Sequence, residues 1–189
     1  MFQPKIVIGI TGTCAAGKDT IADYLVKNKG FLHHSCSEIL KDELGKRGLE
    51  KTIPNFAAVG NEMRRNFGNG ILAKELLEKI FRNREEKIAV TSLRHPDEIK
   101  EIKMLKNCCV ISVDAPIAAR YERVKKRNKE RDHISFEKFK EEEEKQMRGK
   151  GSAMKLAECL NMADFKVLND REFGELYQKI EEILKKVLK

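Results

Sequence analysis

Short apolar runs alternate with longer amphipathic stretches along this chain. The β-branched run Lys5–Ile10 (KIVIGI) predicts a strand buried in a parallel sheet, and a glycine-rich turn then leads to helical periodicity over Lys18–Lys29. Four later runs have the same strand character: Gly30–Ser35, Lys87–Ser92, Cys108–Val113 and Phe165–Leu168. Because helical periodicity follows each strand, the pattern predicts an α/β fold with a five-stranded parallel sheet and helices on both of its faces.

Two segments interrupt this alternation. Residues 38–82 show helical periodicity and several glycines without a strand signal, which predicts a helical insertion. Residues 128–151 are very polar, contain four consecutive glutamates and end in Gly149-Lys150-Gly151, which predicts a mobile lid; a solvated surface helix is the alternative. At 189 residues we expect a single domain. Its predicted core comprises residues 1–37, 83–127 and 152–189.

The net charge of the chain indicates which class of partner it binds. Lysine and arginine total 38 against 30 for aspartate and glutamate, and the resulting net charge of +8 favours anionic partners, either phosphorylated small molecules or nucleic acid. Aromatic residues are only 6% and tryptophan is absent, so the chain has few of the stacking surfaces that single-stranded nucleic acids require. The balance favours a small phosphorylated partner, and nucleic acid stays possible.

Neither a membrane segment nor a disulfide framework is indicated. The longest apolar runs are far shorter than the roughly 20 residues that span a bilayer, and the amino terminus lacks the pattern of a signal peptide. The five cysteines are odd in number and show no Cys-x-x-Cys spacing, so we expect neither disulfides nor a zinc knuckle. A cytoplasmic protein without membrane attachment follows, and its oligomeric state stays open.

A glycine-rich motif lies between the first strand and the first helix. Its residues match the phosphate-binding pattern G-x-x-x-x-G-K: Gly12, Thr13, Cys14, Ala15, Ala16, Gly17 and Lys18. The glycines let successive backbone N–H groups point at phosphate oxygens, the helix N-terminus adds its dipole, and Lys18 reaches the β and γ phosphates. Strand, loop and helix follow in the required order, so the motif predicts nucleotide binding with a catalytic role for Lys18.

The residues after Lys18 depart from the commonest form of this loop. Asp19 stands where serine or threonine usually supplies a ligand to Mg²⁺, and the hydroxyl comes one residue later at Thr20, the candidate magnesium ligand. The form G-K-x-T resembles the adenylate kinase and nucleoside monophosphate kinase group of P-loop proteins. This resemblance implies a P-loop fold with acceptor-binding and lid insertions, ATP and Mg²⁺ as cofactors, and Asp19 and Thr20 as part of the nucleotide site.

The resemblance extends to the acceptor side. Lys41 ends a segment that looks like the acceptor-phosphate region of those kinases, and Arg64 lies where they carry acceptor-binding helices. Arg94 follows the third strand, where such kinases have an acceptor-clamping arginine, and the carboxyl end of a parallel strand is a typical place for a site residue. The resemblance therefore implies that Lys41, Arg64 and Arg94 bind the acceptor, and that Arg94 also takes part in catalysis.

The helix predicted after the fourth strand is rich in arginine. Its sequence RYERVKKR is similar to the lid entry of dephospho-CoA kinases, which implies that Arg123 and Arg127, four residues apart on one face, contact the transferring phosphoryl group. For Arg120, a solvated position and a site role are both open. The four glutamates Glu141–Glu144 should face solvent because they would repel a triphosphate. Asn169, after the last strand, is implied to border the adenine.

Two departures from the resemblance bear on function. The third strand ends in Thr91 and Ser92, without the acidic residue that orients magnesium in many P-loop enzymes, and Ser35 and Ser37 stand where dephospho-CoA kinases tend to have aspartates. The leading hypothesis is an ATP-dependent kinase that transfers the γ-phosphoryl group to a nucleotide-like acceptor, foremost a ribo- or deoxyribonucleoside monophosphate. The alternatives are a dephospho-CoA kinase-like enzyme and a non-catalytic nucleotide-binding module that is regulatory or associated with nucleic acid.

Overall fold

A parallel sheet of five strands forms the centre of the fold. The computed structural model describes residues 2–127, 134–170 and 173–188, apart from the side chains of Ile53, Arg127 and Phe173. The strands are β1 (Ile6–Gly12), β2 (Leu32–Ser35), β3 (Lys87–Thr91), β4 (Cys108–Asp114) and β5 (Phe165–Leu168). Their order is β2-β3-β1-β4-β5, and all neighbouring strands are parallel. The carboxyl end of β1 therefore lies between the ends of β3 and β4.

Helices cover both faces of the sheet. Within the described ranges they are α1 (Lys18–Lys29), α2 (Cys36–Lys46), α3 (Ile53–Phe67), α4 (Ile71–Asn83), α5 (Pro96–Lys103), α6 (Ile117–Arg127), α7 (Phe136–Met147), α8 (Leu156–Met162) and α9 (Phe173–Val187). Val7 of β1 packs in a core with α2, α3, α4, α5 and α8, whereas Ile6 and Ile8 pack in a second core with α1 and α9. Alternate strand residues point to opposite faces, so a sheet buried on both sides requires the continuous apolar runs seen in the sequence.

The predicted α/β fold with a five-stranded parallel sheet is confirmed. α1 and β5 have the predicted bounds, and the other strands begin or end within two residues of the prediction. β2 begins at Leu32 because Gly30, with a φ of 68°, caps α1 and donates its N–H to the Leu25 carbonyl oxygen. β3 ends before Ser92 because this residue has a φ of 63°, which turns the chain out of the strand.

The helical insertion predicted for residues 38–82 consists of α3, α4 and most of α2. Of the predicted lid, residues 128–133 lie outside the described residues, and the part that the structure describes contains α7 and a tight turn at Gly149. The Gly149 N–H donates to the Met154 carbonyl oxygen across this turn (3.0 Å). None of the helices in the described ranges has the length and apolar composition needed to cross a bilayer. The assignment of the whole chain to one domain stays a prediction.

The packing of α4 gives a first testable prediction. Leu76 of α4 is fully buried, whereas Leu49, in the connection after α2, is 42% exposed. Leu76→Ala leaves a cavity in the core and should lower the free energy of unfolding by about 3 kcal/mol, and Leu49→Ala by less than about 1 kcal/mol. Urea denaturation measures both values. Equal losses would contradict the assignment of this α4 face to the core.

Candidate functional site

The loop between β1 and α1 curls tightly because two of its residues have no side chain. A Cβ on Gly12 would lie 2.2 Å from the Val113 carbonyl oxygen of the neighbouring strand β4. Gly17 has a φ of 113°, which other residues rarely adopt, and a Cβ there would lie 2.5 Å from Nδ2 of Asn169. Only glycine fits at both positions, so the backbone N–H groups can approach an anion at the N-terminus of α1.

Contacts from three other segments hold the loop in this shape. The Thr13 hydroxyl donates to Oδ1 of Asp114 at the end of β4 (2.6 Å), and Nδ2 of the buried Asn169 donates to the Ala16 carbonyl oxygen (2.7 Å). Arg123 of α6 donates through Nη2 to the Asn169 carbonyl oxygen (2.9 Å) and through Nη1 to a loop carbonyl oxygen (3.3 Å). Asn169 and Arg123, which the sequence assigned to the adenine and the transferring group, therefore contact the loop backbone itself.

Lys18 bonds back to the start of its own loop. Its Nζ donates to the carbonyl oxygens of Gly12 (2.9 Å) and Thr13 (2.6 Å), and among the described residues it has only these neutral oxygens as hydrogen-bond partners. Burial is the largest cause that lowers the pKa of Lys18 to about 7, and the positive charges of Arg94 and Arg120 act in the same direction. Lys18 therefore lies close to two other cations, and no carboxylate within the described ranges forms a hydrogen bond or ion pair with it; the nearby Asp19 charge only partly offsets the lowering of its pKa.

The second cation near Lys18 is Arg94, which lies just after the end of β3. Its Nη1 donates to Oε1 of Gln146 on α7 (2.9 Å), and burial lowers the pKa of the Arg94 guanidinium. Because Gln146 is neutral, the guanidinium has no carboxylate partner within the described ranges. Burying two neighbouring cations that bond only to neutral oxygens costs free energy, and a bound anion would offset part of that cost. The pair formed by Lys18 and Arg94 is therefore suited to bind a polyanion.

Arg64 does not share this arrangement. Its side chain is 3% exposed and donates through Nε and Nη2 to Oε1 of the fully buried Glu98 (3.1 and 2.8 Å). A carboxylate in the core requires a charged partner, and Arg64 supplies that charge. In the ligand-free chain the Arg64 guanidinium is held by Glu98, and its expected contact with an acceptor stays a prediction.

Arg120, whose role the sequence left open, has a carboxylate partner on the predicted lid. Its Nη2 donates to Oε1 of Glu143 on α7 (2.7 Å), Nη1 also bonds to the Glu143 carboxylate, and Nε donates to the Ala115 carbonyl oxygen (2.6 Å). The side chain of Glu143 is 14% exposed, against 54% for Glu141 and 63% for Glu144. The expectation that all four glutamates face solvent is wrong for Glu143, because the buried Arg120 guanidinium binds it.

Comparison with known proteins assigns the chain to a family. A family model described as an AAA domain matches residues 8–148, from β1 to just after α7. A UPF0200 protein of Sulfurisphaera tokodaii is 31% identical over 183 residues, which cover 96% of this chain and 97% of the relative. The chain belongs to the UPF0200 family and carries an AAA domain.

Solved kinase structures share the fold of this UPF0200 chain at low sequence identity. Shikimate kinase from Acinetobacter baumannii in complex with shikimate has a TM-score of 0.61 at 15% identity, with 99% of this chain and 96% of that chain covered. Dephospho-CoA kinase from Campylobacter jejuni has a TM-score of 0.54 at 16% identity, with 96% of each chain covered. The P-loop kinase-like fold is therefore shown, and membership of the nucleoside monophosphate kinase group stays a proposal.

Lys41 and Thr20, which were also singled out in the UPF0200 sequence, form no hydrogen bond with Lys18 or Arg94. Lys41 is exposed on α2 and makes none of the contacts given above. Thr20 lies on the face of α1 that lines, with Tyr24 and Tyr177 of α9, a surface hollow of about 370 Å³. The side chain of Arg127, at the end of α6, lies outside the described residues. The roles of Lys41, Thr20 and Arg127 stay predictions.

The residue next to Lys18 fits a hydrated magnesium ion. The Asp19 carboxylate is exposed, forms no hydrogen bond or ion pair with the residues that the structure describes, and is close enough to raise the pKa of Lys18. Mg²⁺ keeps several waters and takes one or two carboxylates beside phosphate oxygens. Within the described ranges no group of three or more His, Cys, Asp or Glu side chains could hold a metal.

Sequence reasoning missed three partners in this UPF0200 site. Asp114 had a local signal, because it directly follows the apolar run of the fourth strand. Glu98 lies 34 residues from Arg64, and Gln146 lies 52 residues from Arg94, so no local pattern links either residue to its partner. Glu98 completes the capping box at the start of α5, and its bonds to Arg64 depend on the packing of α3.

The pair of Arg120 and Glu143 gives a stability prediction with a neighbouring residue as control. Glu143→Ala removes the two short bonds of the buried Arg120 guanidinium to a carboxylate and leaves it only the longer approach of Nε to Oδ1 of Asp114 (3.7 Å), so the free energy of unfolding should fall by about 3 kcal/mol. Glu142→Ala removes the same chemical group from a side chain that is 41% exposed, and the loss should stay below about 1 kcal/mol. Urea denaturation of the ligand-free protein measures both. A small loss for Glu143→Ala would mean that this residue behaves as a solvated charge.

The lowered pKa of Lys18 predicts proton uptake when a nucleotide binds. A pKa of about 7 leaves the amine mostly neutral at pH ~8, and nearby phosphate stabilises the charged form and raises the pKa. Binding of magnesium and ATP should therefore take up about one proton at pH ~8 and almost none at pH ~6. Calorimetry in buffers of different ionisation enthalpy measures this. Lys18→Arg, which is charged at both pH values, is the control, and equal uptake by both proteins would contradict the account.

Proposed function

We propose that this chain is an ATP-dependent phosphotransferase that moves the γ-phosphoryl group of ATP to a small phosphorylated acceptor, and that this acceptor is a ribo- or deoxyribonucleoside monophosphate. The observation that carries the proposal is the pair of adjacent cations, Lys18 and Arg94, which bond only to neutral oxygens in the part of the chain that the structure describes. A ligand with several charged oxygens, such as a chain of phosphates, is what such a pair of cations requires.

The donor nucleotide would bind along the loop from Gly12 to Lys18. The loop N–H groups and the N-terminus of α1 would hold the phosphates, and Lys18 would contact the β and γ phosphates. Asp19 would orient a hydrated Mg²⁺, which when bound neutralises charge on the phosphate oxygens. Phosphoryl transfer leaves little covalent chemistry to the protein, so alignment and charge stabilisation by Lys18 and Arg94 are the catalytic contribution.

The ends of β2 and β3 favour a phosphate over an alcohol as acceptor. Ser35 donates to Oγ of Ser92 and bonds to Oγ of Ser37, both at 2.8 Å, so this edge of the sheet offers neutral hydroxyls. Glu38, the nearest carboxylate along the chain, already accepts from the Ser35 N–H (3.2 Å) and lies 3.6 Å from Nδ1 of His34. An alcohol must lose its proton to a base, whereas a phosphate oxygen is already ionised and needs none. Arg94, at the same edge, supplies the charge that an anionic acceptor requires.

Two other functions remain as alternatives. The solved dephospho-CoA kinase structure has the same fold, so dephospho-CoA is an alternative acceptor. A non-catalytic module is favoured by the net charge of +8 and by the hydroxyl residues that replace an acidic residue after β3. The three hypotheses predict different results: turnover with a nucleotide acceptor, turnover with an alcohol acceptor, or binding without turnover.

The test is ADP formation with ATP and Mg²⁺ against the ribo- and deoxyribonucleoside monophosphates, dephospho-CoA and shikimate. We expect turnover with at least one monophosphate, and a loss of about a hundredfold or more in Lys18→Ala because one charge contact in the transition state is removed. Lys27→Ala, which removes an exposed lysine from the same helix, is the matched control and should keep its turnover.

Three results would contradict the proposal. Unaltered turnover in a folded Lys18→Ala protein would remove the loop from the mechanism. Turnover with dephospho-CoA or shikimate alone would assign an alcohol acceptor. Salt-sensitive binding of RNA or DNA without ADP formation would select the binding module.

A further inference from the structure

Four N–H donors surround the buried carboxylate of Glu98. Oε1 accepts from Nε and Nη2 of Arg64, and Oε2 accepts from the backbone N–H groups of Arg94 (2.7 Å) and His95 (3.1 Å). The Glu98 side chain has 0% exposure, so all of its stabilisation comes from the protein. Bonds to an ionised carboxylate are stronger than neutral ones, and these four bonds join α3 to the turn that precedes α5.

This turn determines where the Arg94 side chain projects. It begins at Ser92, whose φ of 63° is unusual for a residue with a side chain, and it ends in the capping box formed by His95 and Glu98. The Arg94 N–H is held by Glu98, and its carbonyl oxygen accepts from the Lys155 N–H (2.9 Å). A left-handed residue persists only where its neighbours hold it, so the bonds of Glu98 stabilise the backbone from which the Arg94 guanidinium extends.

Arg64 supplies the positive charge that pairs with the Glu98 carboxylate in the core. It extends from α3, whose Val59 and Met63 pack in the same core as α5. Gly60, one turn earlier, leaves space for it, since a Cβ there would lie 3.3 Å from Nη1 of Arg64. Without Arg64 the carboxylate would lose two of its four N–H donors and its charged partner, which is unfavourable for a buried group. A shift of the carboxylate toward water would then weaken its bonds to the N–H groups before α5.

We propose that Arg64 is a positioning residue for Arg94, and that it acts through the carboxylate of Glu98 on the backbone of the turn. The inference rests on the proposed function only for what Arg94 binds; the link from Arg64 to Arg94 belongs to the ligand-free protein. A further consequence is that α3, part of the helical insertion, is connected to the phosphate site, so that a displacement of α3 reaches the Arg94 guanidinium.

The direct test is backbone amide hydrogen exchange by NMR, without nucleotide or acceptor. In Arg64→Met, exchange at the Arg94 amide should accelerate by about tenfold or more, while the Asn169 amide, on the opposite side of the loop, keeps its rate within about twofold. In Arg64→Met/Glu98→Gln the neutral amide oxygen can again accept from the Arg94 N–H, so protection should return toward wild type. Lys100→Met, which removes an exposed partner of Asp97 on α5, is the control and should leave Arg94 protected.

Each other result overturns the proposal. Unchanged Arg94 exchange in Arg64→Met means that the turn does not depend on Arg64. Equal acceleration at Arg94 and Asn169 means a general loss of stability. Failure of the double variant to restore protection means that Arg64 does not act through Glu98. If Arg64→Met does not fold, Arg64→Lys replaces it: one amine in place of the guanidinium fork should give a smaller acceleration, and wild-type exchange would overturn the inference.

A kinetic measurement separates positioning from stability once a monophosphate acceptor has been found. Arg64→Met should raise the KM of that acceptor by about tenfold and leave the KM of ATP within about twofold. The double variant should recover most of the acceptor KM, which a direct contact between Arg64 and the acceptor would not allow. Without an acceptor, the exchange measurement still decides the inference, so failure of the proposed function and failure of the positioning role are distinguishable.

Discussion

Buried positive charge that no carboxylate of the described residues pairs with directly is the constraint on which this structure depends. Removing a cation from water is expensive unless a partner replaces the lost hydration, and Lys18 and Arg94 receive only neutral oxygens from the described residues. Lys18 adapts through a lowered pKa, which reduces the cost of keeping it beside two guanidinium groups. The ligand-free site therefore retains an unfavourable free energy of cation burial, and binding of an anion would reduce it.

The arginines near the site differ in whether their guanidinium group has a carboxylate partner. Glu98 compensates Arg64, and Glu143 compensates Arg120, so these two guanidinium groups stabilise the fold around the loop. Arg94 has a neutral partner and keeps its charge available. The same residue type thus serves as internal counter-ion in two places and as a candidate ligand contact in a third. Nothing in the residue type itself distinguishes these roles, which depend on where the acidic side chains of other helices lie.

This division explains what could be predicted from the sequence. The strands were visible because burial on both faces imposes continuous apolar runs, and the loop was visible because Gly12 and Gly17 are required by close approaches that no other residue tolerates. The roles of Arg64 and Glu143 were not visible, because their partners come from α5 and α6 and meet them only after the helices have packed. Sequence patterns report local periodicity and steric need, whereas pairing across 23 or 34 residues depends on the whole fold.

The most direct test of the central claim is a comparison of ATP and adenosine as ligands of the wild-type protein. Isothermal titration with Mg²⁺ at moderate ionic strength gives both dissociation constants, and the two ligands differ only in the phosphates that the cations would bind. If uncompensated charge at Lys18 and Arg94 dominates the site, ATP should bind about a hundredfold or more tightly than adenosine, and added salt should reduce this difference. Equal affinities for the two ligands would contradict the account, because the phosphates would then contribute nothing to binding.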